Sequence, residues 1–274
     1  MPGRSAEPST PSRIGIINIM PKVEAYEPYL LTALRDAPGA AEPIWIRLRS
    51  HVYSSSDAEH IRARYVTFDE AMRQRPLDGL VLTGAPVEEL RFEDVHYWPE
   101  LSEILQVARR AIKSTFGICW GGLALGELLE LEKTMYGKKL FGVFDNRPLD
   151  AQHPIVGGSD DRFWCAHSRH SGIRDDELEQ AERAGIVTLL AHGAETGYSM
   201  FESADHRYVA HLGHPEYDPA RLIHEWQRDN RLGRADVEAP RNLDPERPLH
   251  VWRSHRRHVF SKWLELVATP ASIE

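Results

Sequence analysis

The segment Ser114-Thr115-Phe116-Gly117-Ile118-Cys119-Trp120-Gly121-Gly122 constrains this 274-residue chain more than any other. A short apolar run passes, with no loop between, into a second run of helical pattern over residues 123–131. A strand that turns straight into a helix needs small residues where the two approach, and Gly117, Gly121 and Gly122 supply that room. The same order of elements recurs upstream. Arg13-Ile14-Gly15-Ile16-Ile17-Asn18-Ile19-Met20 is an apolar run stopped by Pro21, the pattern of a strand buried on both faces. Residues 24–36 then carry Tyr26, Leu30, Leu31 and Leu34 at helical spacing. Ile44-Trp45-Ile46-Arg47-Leu48 and Leu80-Val81-Leu82-Thr83 are further strands, and residues 97–111 a further helix. Strand and helix repeating in this way predict a three-layer α/β fold with a mostly parallel sheet, in which ligands collect at the carboxyl ends of the strands.

Other stretches are less regular. The polar region before Leu80 reads as a loop and a short helix around Phe68-Asp69-Glu70. Met200-Phe201-Glu202 and Tyr208-Val209-Ala210-His211-Leu212 read as neighbouring antiparallel strands joined by Ser203-Ala204-Asp205-His206. Residues 219–229 and 260–267 are helices, with a proline-rich stretch over 239–248 between them. Residues 1–12, rich in Pro and Ser, are expected to form a flexible arm, and residues 13–274 a single domain without internal repeats.

Composition narrows the function classes. Two cysteines, Cys119 and Cys165, are too few for a disulfide framework, and no close-spaced Cys or His pairs suggest structural zinc. Both are expected to be free thiols, Cys165 a structural one. The amino terminus lacks the apolar stretch of a signal peptide, and no run of 18 apolar residues follows, so a cytoplasmic protein without a membrane partner is expected. A net charge of -8 argues against a nucleic-acid partner. The arginines at 253, 256 and 257 alternate with Trp252 and Trp263, which suggests a terminal element docked on the body.

Cys119 at a strand-to-helix turn would sit near backbone N–H groups and the positive end of a helix, a setting that favours a thiolate and can hold an oxyanion. His211-Leu212-Gly213-His214-Pro215-Glu216-Tyr217 supplies a base at another strand end and a carboxylate two residues on, the general form of a catalytic triad. A cysteine after an apolar strand is also a common buried apolar residue, and a histidine beside proline a common loop residue. Residue types alone leave both readings open.

A wider set of segments resembles the homoserine O-acyltransferases of the glutamine-amidotransferase-like superfamily. They are Asn18-Ile19-Met20-Pro21-Lys22, Asp78-Gly79-Leu80-Val81-Leu82-Thr83-Gly84-Ala85-Pro86, Tyr97-Trp98, Cys119-Trp120-Gly121, Lys139-Leu140-Phe141-Gly142-Val143, Ala166-His167-Ser168-Arg169, Gly213-His214-Pro215-Glu216-Tyr217-Asp218 and Trp252-Arg253-Ser254-His255. They span nearly the whole chain in order. The resemblance implies a class I glutamine-amidotransferase-like, flavodoxin-like fold and a double displacement. Cys119 would take an acyl group from an acyl-coenzyme A, His214 would act as base and Glu216 would orient it. It further implies backbone oxyanion donors at Trp120 and Val87, and Lys139 and Ser168 beside the substrates. Glu225 and Arg228, three apart on one helix, would hold the amine and carboxylate of the amino acid. At Glu88, glutamate goes with acetyl and glycine with succinyl transfer, so acetyl-CoA is the expected donor. No tightly bound cofactor or metal is implied; a homodimer is one expectation, left open by the short arm before the first strand.

Departures from the family pattern at Gly121-Gly122-Leu123-Ala124-Leu125 and Asp145-Asn146-Arg147 are expected near the acceptor and leave room for serine in place of homoserine. Two readings of other classes are weaker. Glutamine hydrolysis would need a synthetase partner, and a noncatalytic interaction protein would not need the cysteine, histidine and glutamate together.

Overall fold

The structure, a computed structural model, describes residues 11–37 and 40–269. All but the last two residues of the expected arm therefore lie outside the described residues. Nine strands form one sheet among the described residues, in the order β2-β1-β3-β4-β9-β8-β7-β5-β6. The parallel part comprises β2 (Ala41–Ile46), β1 (Ser12–Ile17), β3 (Gly79–Leu82), β4 (Ser114–Ile118) and β9 (Tyr208–His211). Beyond β9 the sheet continues antiparallel through β8 (Gly197–Ser203), β7 (Val187–Gly193), β5 (Thr134–Pro148) and β6 (Phe163–Gly172).

Side-chain alternation along the parallel strands builds two cores, one per face. Val81 joins Ile14, Ile16, Phe116 and Ile118 on one face, against α1 (Val23–Asp36) and α8 (Arg253–Ala268). Leu80 and Leu82 turn to the other, with α3 (Phe68–Gln74), α4 (Trp98–Ala111) and α5 (Trp120–Glu127). The three-layer expectation is met. The polar region before β3 holds two helices rather than one, α2 (Ala58–Arg64) and α3, capped by the Asp57 and Thr67 side chains. Two further elements are α6 (Asp175–Arg183) and α7 (Pro219–Arg231). The arginine-rich tail is docked as expected: Trp252 and Trp263 are fully buried, and Arg256 pairs with Asp36 at 2.5 Å. No helix among the described residues is long and apolar enough to cross a membrane.

The junction of β4 and α5 is the tightest point near the site. A Cβ on Gly117 would meet the Gly121 carbonyl oxygen at 2.5 Å, and one on Gly121 would meet the Leu82 carbonyl oxygen at 2.5 Å. All of these are backbone atoms, which cannot rotate aside. Gly121→Ala should therefore destabilise the protein by about 1–3 kcal/mol, even though alanine favours a helix by up to about 1 kcal/mol. Urea unfolding measures this, and an equal or higher stability would contradict the packing argument.

Candidate active site

Cys119 stands at that junction with φ 51° and ψ -114°, a conformation strained for a residue with a Cβ. Its N–H donates to the His211 carbonyl at 2.8 Å, extending the parallel pairing of β4 with β9. This pairing closes the 95-residue gap to His214, which follows three residues after β9 ends. Gly84, beyond β3, lies between the two: a Cβ there would be 3.5 Å from His214 Cε1 and 3.6 Å from Cys119 Cβ. Three adjacent parallel strands thus deliver their carboxyl ends to one place, as the fold class requires.

His214 is fixed on several sides. Its N–H donates to the Ala166 carbonyl at 2.7 Å, Nδ1 lies 2.7 Å from Glu216 Oε1, and its ring stacks on Tyr217 with centroids 4.0 Å apart. Burial opposes its charge, but the Cys119 sulfur and the Glu216 carboxylate outweigh burial and raise its pKa well above the ordinary histidine value. The Cys119 sulfur and the His214 ring line the same cavity, and the sulfur favours the charged ring. Glu216 is fully buried, and its Oε1 also accepts from the Tyr26 hydroxyl. Burial, followed by the neighbouring Glu216, keeps Tyr26 protonated as that donor. Behind the turn, Gly213 N–H donates to His211 Nδ1 at 3.0 Å, and His211 Nε2 lies 2.9 Å from His255 Nε2. Burial pushes His211 down to about 3, so the ring is neutral and Nε2 donates to His255.

A cavity of about 430 Å³ opens over the cysteine. Cys119, His214, Lys139, Ser168, Glu225, Arg228 and Glu88 all line it. Glu216 stands behind His214 rather than in the wall. Trp120 and Val87 were singled out for their backbone N–H groups, and their side chains point elsewhere. Trp120 packs in an aromatic cluster with Phe92 and Tyr97, while Val87 packs on the apolar core beside Pro86, which does line the cavity.

The part of the cavity around Glu225 is more connected than the sequence suggested. Glu225 accepts from Ser168 Oγ at 2.6 Å and from the Tyr217 hydroxyl at 2.9 Å, and pairs with Arg221 at 3.1 Å. Burial raises its pKa, but Arg221, Lys139, His214 and Ser168 overcome this and hold it at about 2, so it is a carboxylate. Lys139 Nζ pairs with Asp229 at 2.8 Å, both buried. Arg228 Nε donates to the other Asp229 oxygen at 2.8 Å, and the Arg228 side chain is 47% exposed. Glu225 and Arg228 share the cavity as their spacing predicts, but each has its own partner. Arg221, Asp229 and Tyr26 escaped sequence reasoning, although Arg221 stands one helical turn before Glu225 on α7 and could have been found by that spacing.

Glu88 is a cavity residue whose carboxylate contacts His170, with a side chain only 14% exposed. Two expectations need correction. Asp145, Asn146 and Arg147 line a separate pocket with Arg162 and His192. Gly121 lies against the Leu82 and Thr83 carbonyls and Gly122 against Leu212 and the Gly117 carbonyl, and Leu123, Ala124 and Leu125 are buried in the core. Neither segment lines the cavity over Cys119, because β5 runs on past Lys139 to the separate pocket and α5 turns the second into the core. Cys165 is fully buried, and burial raises its thiol pKa, which fits the structural role expected of it.

Comparisons with known proteins bear on the lineage of the chain and on its fold. A family profile described as homoserine O-succinyltransferase matches residues 5–272. A homoserine O-acetyltransferase of Bacteroides fragilis is 37% identical over 273 residues, covering 96% of this chain and 88% of the relative. One of Petrotoga mobilis is 38% identical, covering 93% of this chain and 82% of the relative. Among solved structures, a glutamine amidotransferase of Thermotoga maritima aligns with a TM-score of 0.54 at 13% identity, covering 94% of this chain and 96% of that one. The glutaminase domain of Trypanosoma brucei CTPS aligns at 0.55 and 12% identity, covering 94% and 93%. These structures share the fold, and the sequence relatives fix the lineage: the chain belongs to the homoserine O-acyltransferase family.

Proposed function

We propose that the protein is a homoserine O-acetyltransferase working by double displacement through Cys119. The observation that carries this reading is the single cavity in which Cys119 and His214 face Ser168, Glu225 and Arg228 on one side and Glu88 on another. In the first half-reaction the Cys119 sulfur attacks the thioester carbonyl of acetyl-CoA. The bond to the CoA sulfur breaks, that sulfur takes a proton from His214, and an acetyl thioester remains on Cys119. In the second, the homoserine hydroxyl oxygen attacks this thioester while His214 takes its proton. The ester forms and the cysteine sulfur leaves. Glu216, itself held by the Tyr26 hydroxyl, keeps Nδ1 occupied, so the other ring nitrogen is the one that moves the proton. The N–H of Trp120, at the first turn of α5, and that of Val87 are the proposed oxyanion donors.

For the acceptor, the Glu225 carboxylate faces the ammonium group and the planar Arg228 guanidinium the carboxylate, with Lys139 and Ser168 beside them. The donor preference rests on Glu88. A succinyl group ends in a carboxylate, and setting it against Glu88 in a cavity should cost several kcal/mol. An acetyl methyl group carries no such charge.

Two measurements test this reading. Acetyl- and succinyl-CoA assayed against homoserine and serine, with the acylated amino acid detected directly, should give acetylhomoserine as the dominant product; efficient succinyl transfer or a serine preference would contradict it. Arg228→Lys keeps the charge but loses the fork. It should raise the KM for homoserine by roughly tenfold or more, with a much smaller effect on acetyl-enzyme formation. Equal impairment of both half-reactions would remove Arg228 from acceptor binding.

A further inference from the structure

Glu88 does not project into the cavity alone. Its Oε2 accepts from the backbone N–H of His170 at 3.0 Å, and its Oε1 lies 3.0 Å from His170 Nδ1. A carboxylate can only accept, so Nδ1 carries the hydrogen. One residue therefore holds both oxygens. The backbone N–H is available because the pairing of β5 with β6 is irregular here: Leu140 pairs with Arg169 and Met135 with Ser171, passing over His170. Such a bulge frees a ladder group and re-aims a side chain. On the far side of the ring, Nε2 lies 3.0 Å from Asp236 Oδ2 and 3.1 Å from Arg234 Nη2. A neutral ring can accept there from Arg234 and a charged ring can donate to Asp236, so Nδ1–H stays directed at Glu88 in either form.

We propose that the backbone N–H and Nδ1–H of His170 form a carboxylate-binding site that Glu88 occupies from within, and that this site would receive the terminal carboxylate of a dicarboxylic acyl group once Glu88 is removed. The inference rests on the acyl-transfer reading of Cys119. Dimensions support it. The Ser168 carbonyl oxygen is 4.0 Å from Cys119 Sγ, and His170 lies two residues further along β6 on the same face, about 6–7 Å away. An extended succinyl group spans roughly 6 Å from the thioester sulfur to its carboxylate oxygens, by ordinary bond lengths. Charge supports it as well. Glu88, Glu89 and Asp236 share this corner with Arg234, Lys133 and His170, and a second carboxylate set directly against Glu88 meets like charge. Exchanging Glu88 for a succinyl carboxylate leaves the same charge count. Selectivity on this account has two parts, an occupant that excludes the diacid and a receptor that would otherwise hold it.

The test compares the native protein, Glu88→Gly, and Glu88→Gly combined with either His170→Phe or His170→Asn. Each is mixed with acetyl-CoA or succinyl-CoA without acceptor, and the acyl adduct is followed by time-resolved intact-protein mass. Glu88→Gly should raise the ratio of succinyl to acetyl adduct rates by on the order of tenfold or more. Adding His170→Phe should return most of that gain. Adding His170→Asn, which keeps a side-chain N–H near the Nδ1 position, should retain a larger part of it. Equal ratios in Glu88→Gly with and without His170→Phe would overturn the proposal, as would an unchanged ratio in Glu88→Gly itself. Failure of the native protein to form any acetyl adduct would instead contradict the acyl-transfer reading. The carboxylate site is then read without turnover: succinate titrated into Glu88→Gly should shift the ring-nitrogen resonances of His170, and an absence of shift would count against it.

Discussion

The contact between the end of β4 and the start of α5 is the constraint on which the site depends. Backbone meets backbone there, with no space for a Cβ on Gly117 or Gly121, and the chain reverses direction within the single residue Cys119 at positive φ. Strain of this kind persists only where surrounding structure over-determines it. Here β3 and β9 flank β4 in parallel register, and the Cys119 N–H is held by β9. The sulfur is thereby raised above the carboxyl edge of the sheet, and the same pairing sets the distance to His214.

Around that fixed point the structure buries a connected set of charged and hydroxyl-bearing groups. Tyr26 and His214 share one Glu216 oxygen, Tyr217 stacks on His214 and donates to Glu225, and Arg221 and Ser168 close on Glu225 from other sides. His214 and Glu225 are thus linked through one tyrosine. Removing one member of such a network leaves others buried without a partner, which costs more than the bond itself. This explains why helices α1 and α7, neither of which carries the nucleophile, are as much part of the site as β4.

What the sequence disclosed follows from local physics. β1, β3 and β4 are short apolar runs because both faces are covered, and the elbow is marked by its glycines. β5 and β6 carry no such signal. β6 contains His167, Ser168, Arg169 and His170, which resemble a loop in composition, yet all are buried because their partners come from distant segments. Glu88 has the composition of a surface residue and is drawn inward by a histidine 82 positions away. The acceptor side shows the same limit. The spacing of Glu225 and Arg228 was legible, and that of Arg221 before Glu225 could have been, whereas the pairing of Asp229 with Lys139 required knowing that β5 meets α7.

The central claim is that Cys119 carries the acyl group between two separate substrates. Rapid mixing of the protein with acetyl-CoA in the absence of homoserine measures it most directly. The account predicts a burst of free CoA close to one equivalent per active site, with the acetyl group on Cys119, followed by its discharge to acetylhomoserine when homoserine is added. Release of CoA only after homoserine is present, with no acetyl group on the cysteine at any time, would contradict it.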